Sequence, residues 1–303
     1  MRPTGCLSTL ILTVLTAAAF AGAAKAEPPL LVPASIPPDE IRRSIYEFTA
    51  RAMQPEAAEM IFVFSCLTDM VEARFDSAQR DCSEAIGHEP DNPGPYKLRG
   101  EASLFQGRYE HALEDLNYAI ALDSTDAESY AARGQAFRLM RQYPRAVADF
   151  DKAIAIAPQN PAYWNGRCWI RAEMGKRLAL ALRDCTKAQH LTPQFAAAFD
   201  SRGLVHLRLR RYARAIQDYT RAISLRPEFA TSFFGRGLAR LHLNRIADGR
   251  RDIRQARRID PDIDDFYARM GVTGHGLAMP PGKRAKPRRD RQQAIPKDQF
   301  ARR

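Results

Sequence analysis

The 303 residues include five cysteines; setting aside Cys6, in the N-terminal apolar run, the side chains best able to do covalent chemistry are the other four, Cys66, Cys82, Cys168 and Cys185, which fall in two close pairs. An even count at such spacing suits two disulfides. Two pairs of buried free thiols are the competing reading. A metal site is disfavoured, because two sulfurs per pair lack further ligands. The histidines, at 88, 111, 190, 206, 242 and 275, are scattered. There is no HExxH, no phosphate-cradling glycine loop and no nucleophile elbow. Asp262, Asp264 and Asp265 cluster without the glycine and spacing of a calcium loop, and read as a helix start. No catalytic residue, metal site or cofactor is expected, so the chain reads as a binding protein and not an enzyme.

The elements that must position these side chains come from a repeat. YKLRGEASLFQGRYEHALEDLNYAIALD from Tyr96 returns thirty-four residues later as YAARGQAFRLMRQYPRAVADFDKAIAIA from Tyr130. Arg99-Gly100 matches Arg133-Gly134, Tyr109 matches Tyr143, Ala112 matches Ala146, and Asp115-Leu116 matches Asp149-Phe150. Each copy holds two apolar stripes at helical spacing, such as Leu113, Leu116 and Ile120. A turn signal, Gln106-Gly107, separates them. Two such helices cannot bury both stripes alone, whereas stacking on neighbours buries them. Gly100 and Ala112 let the paired helices approach closely.

This pattern resembles the tetratricopeptide repeat, of an exported bacterial type. The resemblance implies an all-α fold: a right-handed α-solenoid of about six helix-turn-helix units with a C-terminal capping helix. The units read as 59–92, 93–126, 127–160, 161–195, 196–229 and 230–263, with a cap over 264–271. The fourth holds one extra residue, placed near Lys176–Leu178 in its inter-helix turn. Prolines 90, 158, 193, 227 and 261 end second helices.

Within this frame Cys66 and Cys168 take the place of Gly100, Gly134, Gly203 and Gly237. Cys82 and Cys185 take the place of Leu116, Phe150, Tyr219 and Ile253. These places face each other across the hairpin, which predicts Cys66–Cys82 and Cys168–Cys185. Arg99, Arg133, Arg167, Arg202 and Arg236 share one place on first helices, and Asp81, Asp115, Asp149, Asp184, Asp218 and Asp252 one place on second helices. They read as a structural row of ion pairs, within a unit or between units, since binding sites differ between repeats while stacking contacts recur. Ser65 stands where the first unit would have its arginine.

The resemblance also implies a concave groove lined by first helices that holds a peptide or helix of a protein partner. Carried over place by place, its lining includes Leu67, Met70, Lys97, Glu101, Phe105, Gln135, Arg138, Asn165, Trp169, Asp200, Leu204, Phe234 and Leu238. The lysine and asparagine set that grips a C-terminal carboxylate in the chaperone-binding branch is not reproduced. An extended or helical apolar segment is the expected occupant. A competing reading has residues 36–53 of the chain cover this face.

Residues 1–26 read as a cleaved signal peptide: Arg2, an uncharged apolar run over Cys6–Phe20, then Ala24-Lys25-Ala26. The mature chain is therefore expected to be exported, periplasmic or secreted, without a transmembrane span. Residues 27–58 read as a proline-rich linker and an N-terminal helix from Asp39 toward Met53, closed by Pro55. From 272 to 303 nine Lys and Arg face two Asp, in a basic tail expected to be disordered. The chain's net charge is +11. Without the signal and tail, the remainder sits near +2, which assigns the basicity to the tail and argues against a nucleic-acid groove. Such a tail suits contact with an anionic lipid or polysaccharide surface in the envelope, the alternative to a purely protein-binding scaffold.

Overall fold

The computed structural model describes residues 55–272; the segment read as a signal peptide, residues 27–54 and the tail beyond 272 lie outside them. The described residues hold thirteen α-helices and no strand. Six hairpins follow one another: α1 (Pro55–Val71) with α2 (Phe75–His88), α3 (Pro93–Phe105) with α4 (Tyr109–Leu122), and α5 (Ala127–Leu139) with α6 (Tyr143–Ile156). Then come α7 (Pro161–Met174) with α8 (Leu178–Leu191), α9 (Ala196–Arg208) with α10 (Tyr212–Leu225), and α11 (Ala230–His242) with α12 (Ile246–Ile259). The short α13 (Ile263–Arg269) closes the series. Pro55 opens α1, where a proline is tolerated because the first-turn N–H groups have no intrahelical partner; the preceding helix it is expected to end lies outside the described residues.

The sequence sets both ends of these helices. Asn92, Asp126 and Asn160 accept backbone N–H groups at the starts of α3, α5 and α7, satisfying donors that no carbonyl can reach. Each inter-helix turn passes through one left-handed residue: Ala73, Gly107, Arg141, Arg210 or Asn244. The next N–H then bonds the carbonyl five residues back, as Arg108 does to Ser103 at 2.8 Å and Arg211 to His206 at 2.9 Å. That is the Schellman closure of a helix C-terminus. The fourth turn holds two left-handed residues, Gly175 and Arg177, so the extra residue sits in the expected turn.

Each second helix packs on its own first helix and on the first helix of the next hairpin. Successive first helices also touch, whereas successive second helices scarcely do. The stack therefore bends with its first helices on the inside, as the α-solenoid expectation requires.

One contact recurs at the heart of every hairpin. A Cβ added at Gly203 would stand 2.8 Å from the Tyr219 ring, one at Gly100 2.9 Å from Leu116, and one at Gly134 3.0 Å from Phe150. The next hairpin adapts to the same side chain. Phe150 and Tyr219 are followed by Gly166 and Gly235, where an added Cβ would collide with the ring, and the smaller Leu116 is followed by Ala132. In the first and fourth hairpins a cysteine replaces each partner of this contact. Cys66 faces Cys82 and Cys168 faces Cys185 at disulfide distance, with Cα separations of 5.2 and 5.5 Å, and all four are fully buried.

The arginine–aspartate row lies within hairpins. Arg99 clasps Asp115 through Nε and Nη2 at 2.9 and 2.7 Å; Arg133 clasps Asp149, Arg167 Asp184, Arg202 Asp218 and Arg236 Asp252 in the same two-pronged way. The third nitrogen reaches back to the preceding hairpin, from Arg99 to Ser83, Arg133 to Asn117, Arg167 to Asp151 and Arg236 to Thr220. The guanidinium carbon also lies 5.0–5.8 Å from an aromatic ring one turn earlier on its own helix, such as Trp164 or Phe199. In the first hairpin the Ser65 hydroxyl donates to Asp81 instead.

Two tests follow from these contacts. Gly235→Ala is expected to lower unfolding stability by about 1–3 kcal/mol through overpacking against Tyr219, read as a lower denaturant midpoint. Because the four cysteines are sealed from solvent in either redox state, the pairing is checked after denaturation. Alkylation without reductant should label none of the four, and alkylation after reduction all of them.

Candidate functional site: the first-helix face

Two rows run along the first helices on the inside of the stack. One holds Val63, Lys97, Ala131, Asn165, Asp200 and Phe234; the other holds Leu67, Glu101, Gln135, Trp169, Leu204 and Leu238. Their exposure falls along the stack. Leu67 is 43% exposed, and Val63, Lys97 and Glu101 are half-buried. Gln135 and Asn165 are buried, and Leu204 and Leu238 are each 1% exposed. Met70 and Phe105 are half-buried, with Phe105 stacked on Phe75 at 4.7 Å.

The cover at the far end is the chain's own α13. Tyr267 packs on Phe234 at 4.6 Å and donates to the Thr231 carbonyl at 2.8 Å. Phe266 stacks on Trp169, two hairpins back, at 6.1 Å. The Arg208 guanidinium donates to the carbonyls of Glu173 and Met270, tying together the C-terminal ends of α7, α9 and α13. Trp169, Leu204, Phe234 and Leu238 thus belong to the apolar core that also contains Ile263, Tyr267 and Met270. The segment 36–53, the other candidate cover, lies outside the described residues.

Most polar members of the face are partnered; the buried Asn165 Oδ1 has no hydrogen-bond partner among the described residues. Lys97 Nζ lies 2.9 Å from Glu128 and 3.3 Å from Asp126. Arg138 donates to Gln135 at 2.8 Å and to Glu173 at 3.3 Å, and the Tyr143 hydroxyl meets the same glutamate. Asp200 is buried between α9 and α11, where Ser232 and Thr231 donate to its two oxygens at 2.5 and 3.0 Å. Burial pushes its carboxyl up to about 6, against the pull of those two hydroxyls. Burial pushes the His206 imidazole down, and the nearby Asp218 carboxylate opposes that only in part. Among the described residues no group of three or more His, Cys, Asp or Glu is placed to hold a metal, and no helix is long and apolar enough to cross a membrane.

A series of like hairpins, held by recurring contacts and presenting a face whose residues change from unit to unit, defines an α-solenoid. Family models of the tetratricopeptide repeat match residues 127–160 and 201–262. Solved structures with the same fold include a chain of the APC/C hetero-tetramer Cut9–Hcn1, at 14% identity and TM-score 0.66, covering 77% of this chain and 45% of that one. Pseudomonas aeruginosa pilF follows, at 16% identity and TM-score 0.58, covering 70% and 98%. A tetratricopeptide repeat protein from Parabacteroides merdae is 15% identical, with TM-score 0.54, covering 71% and 90%. No curated protein matched. Over residues 127–160 and 201–262 the chain carries tetratricopeptide repeats.

Asp200 gives the face a pH signature. Its folded-state carboxyl titrates near 6, above the usual carboxylate range, so between about pH 4 and 6 the folded chain holds a proton that the unfolded chain has released. Its contribution to stability is a penalty, full above pH 6 and relieved as the pH falls toward 4. Asp200→Asn removes the charge. Relative to the unsubstituted protein it is expected to gain up to about 3 kcal/mol at pH 7.5, shrinking steadily by pH 4.5, in parallel urea titrations.

Proposed function

We propose that this protein is a non-enzymatic protein–protein interaction scaffold that grips a helical or extended segment of a partner on the first-helix face of its opening hairpins. The observation that carries this reading is the gradient along one row: Leu67 is 43% exposed, whereas Leu204 and Leu238, at the same place, are 1% exposed within the apolar cluster that also holds Ile263, Tyr267 and Met270. The chain fills the later part of the face itself and leaves the earlier part, around Leu67, Met70, Lys97, Glu101 and Phe105, for another molecule. That part pairs apolar side chains with charges already matched by neighbours, which suits an amphipathic segment laid along the helices. The charged leader-like start, apolar run and small-residue motif of residues 1–26 support export, and with it a role in the cell envelope.

A second reading has one observation of its own. Nine Lys and Arg against two Asp over residues 272–303 favour a tether to anionic lipid or polysaccharide. Truncation after Val272 separates the two. The scaffold reading expects the partner to stay bound to the truncated protein, whereas the tether reading expects attachment to anionic vesicles to be lost.

A photo-crosslinker placed at Leu67 or Glu101 is expected to trap a partner segment, and one at Leu180, on a second helix, to trap none. Leu67→Glu is expected to weaken capture about tenfold, the effect of losing roughly 1.4 kcal/mol of contact. Equal trapping from 67 and 180 would rule out a site on this face.

A further inference from the structure

The net charge of the hairpin stack is small, but its distribution is strongly uneven. Residues 55–174 hold nineteen Asp and Glu against twelve Lys and Arg; residues 175–272 hold ten against twenty. A net charge of +3 over these residues conceals an acidic part at −7 and a basic part at +10.

The extremes fall on two second helices. Helix α4 has no Lys or Arg among its fourteen residues, and its outward side exposes Glu110, Glu114 and Tyr118. Helix α12 carries five arginines. Its buried Asp252 is already held by Arg236 and Arg240, and Arg257 is held by Asp264. Arg251 shares Asp248 with Arg245. Arg250, Arg254 and Arg258 are exposed, and no described carboxylate pairs with them. They fall four residues apart, on one side of the helix.

We propose that the α12 arginine face docks on the α4 glutamate face of a second copy of this chain. The complementarity is supplied by the protein itself. Glu110 and Glu114 repeat at the same four-residue step as the arginines, and Tyr118 adds a ring on which a guanidinium can lie. An anionic lipid or nucleic acid would account for the arginines alone, whereas a second copy accounts for both faces. The contact joins two different surfaces, so each copy keeps one α4 face and one α12 face unused. Assembly therefore continues into an open chain unless the rotation closes a ring. Exposed charges attract over tens of ångströms at low ionic strength and over less than about 10 Å above 0.1 M, so the assembly dissolves in salt.

Light scattering after size exclusion tests this on the purified protein. In about 0.02 M salt the mass should exceed the monomer and rise with concentration; in about 0.5 M salt it should fall to the monomer. Arg250→Glu/Arg254→Glu/Arg258→Glu, with unchanged circular dichroism, should be monomeric in both, and so should Glu110→Arg/Glu114→Arg. Mixing the two variants restores opposite faces and should restore assembly. Three results would overturn the proposal: a monomer in low salt at every concentration, assembly that survives arginine reversal, or a mixture that stays monomeric. A protein that is monomeric alone yet binds phosphatidylserine vesicles through the same arginines would instead assign that face to lipid.

Discussion

Each hairpin closes only because its first helix has almost nothing at the place where its second helix presents its largest buried side chain. Glycine at 100, 134, 203 and 237 receives Leu116, Phe150, Tyr219 and Ile253. The size of that side chain is then felt by the next hairpin, through Ala132, Gly166 and Gly235. Interiors packed to crystal-like density transmit volume changes in this way, so each unit constrains the one after it. Two cysteines answer the same geometric demand, because a disulfide spans the helices without needing a cavity in one and a bulky side chain in the other. The arginine clasp works alongside it. A two-pronged bond to a nearly buried aspartate fixes the hairpin, and the remaining nitrogen fixes the hairpin before.

How much of this was legible in the sequence depended on whether the determinant was local. The thirty-four-residue period, the extra residue around Lys176 and the cysteine places could be read directly, because each is set by what one hairpin needs. The choice between clasping within a unit and between units could not. Both require the same residue types, and only the backbone decides that Arg99 meets Asp115 with both prongs while one nitrogen is left for Ser83. The cover over the groove was half legible. Phe266, Tyr267 and Met270 marked a cap, but its reach to Trp169 depends on how sharply successive first helices bend toward each other, a sum of small rotations that no single residue encodes.

That bend has a consequence for binding. Where α13 lies against the first-helix face, apolar residues become core and lose their value as a docking surface. Along the face, the residues of the first two hairpins, Val63, Leu67, Lys97 and Glu101, keep exposed surface, whereas Ala131, Gln135, Asn165 and most of those after them are buried. The charged groups of this face are held in pairs, Lys97 with Glu128 and Arg138 with Glu173.

The uneven charge is partly a by-product of the same clasp. One turn after each ladder arginine, Ser103 and Phe137 give way to Arg171, His206 and Arg240 in the last three hairpins. Arg171 and Arg240 join the first arginine on Asp184 and Asp252, and His206 stands 3.7 Å from Asp218. In the fourth and sixth units the buried carboxylate therefore gathers more positive charge than it cancels, whereas Asp218 of the fifth faces one arginine and an imidazole that burial pushes toward the neutral form. That surplus is internal and explained by folding. The exposed arginines of α12 are not, since no described carboxylate uses Arg250, Arg254 or Arg258. Residues that the fold does not need, repeated at one step along one side of a helix, make sense as a surface built for contact with something acidic.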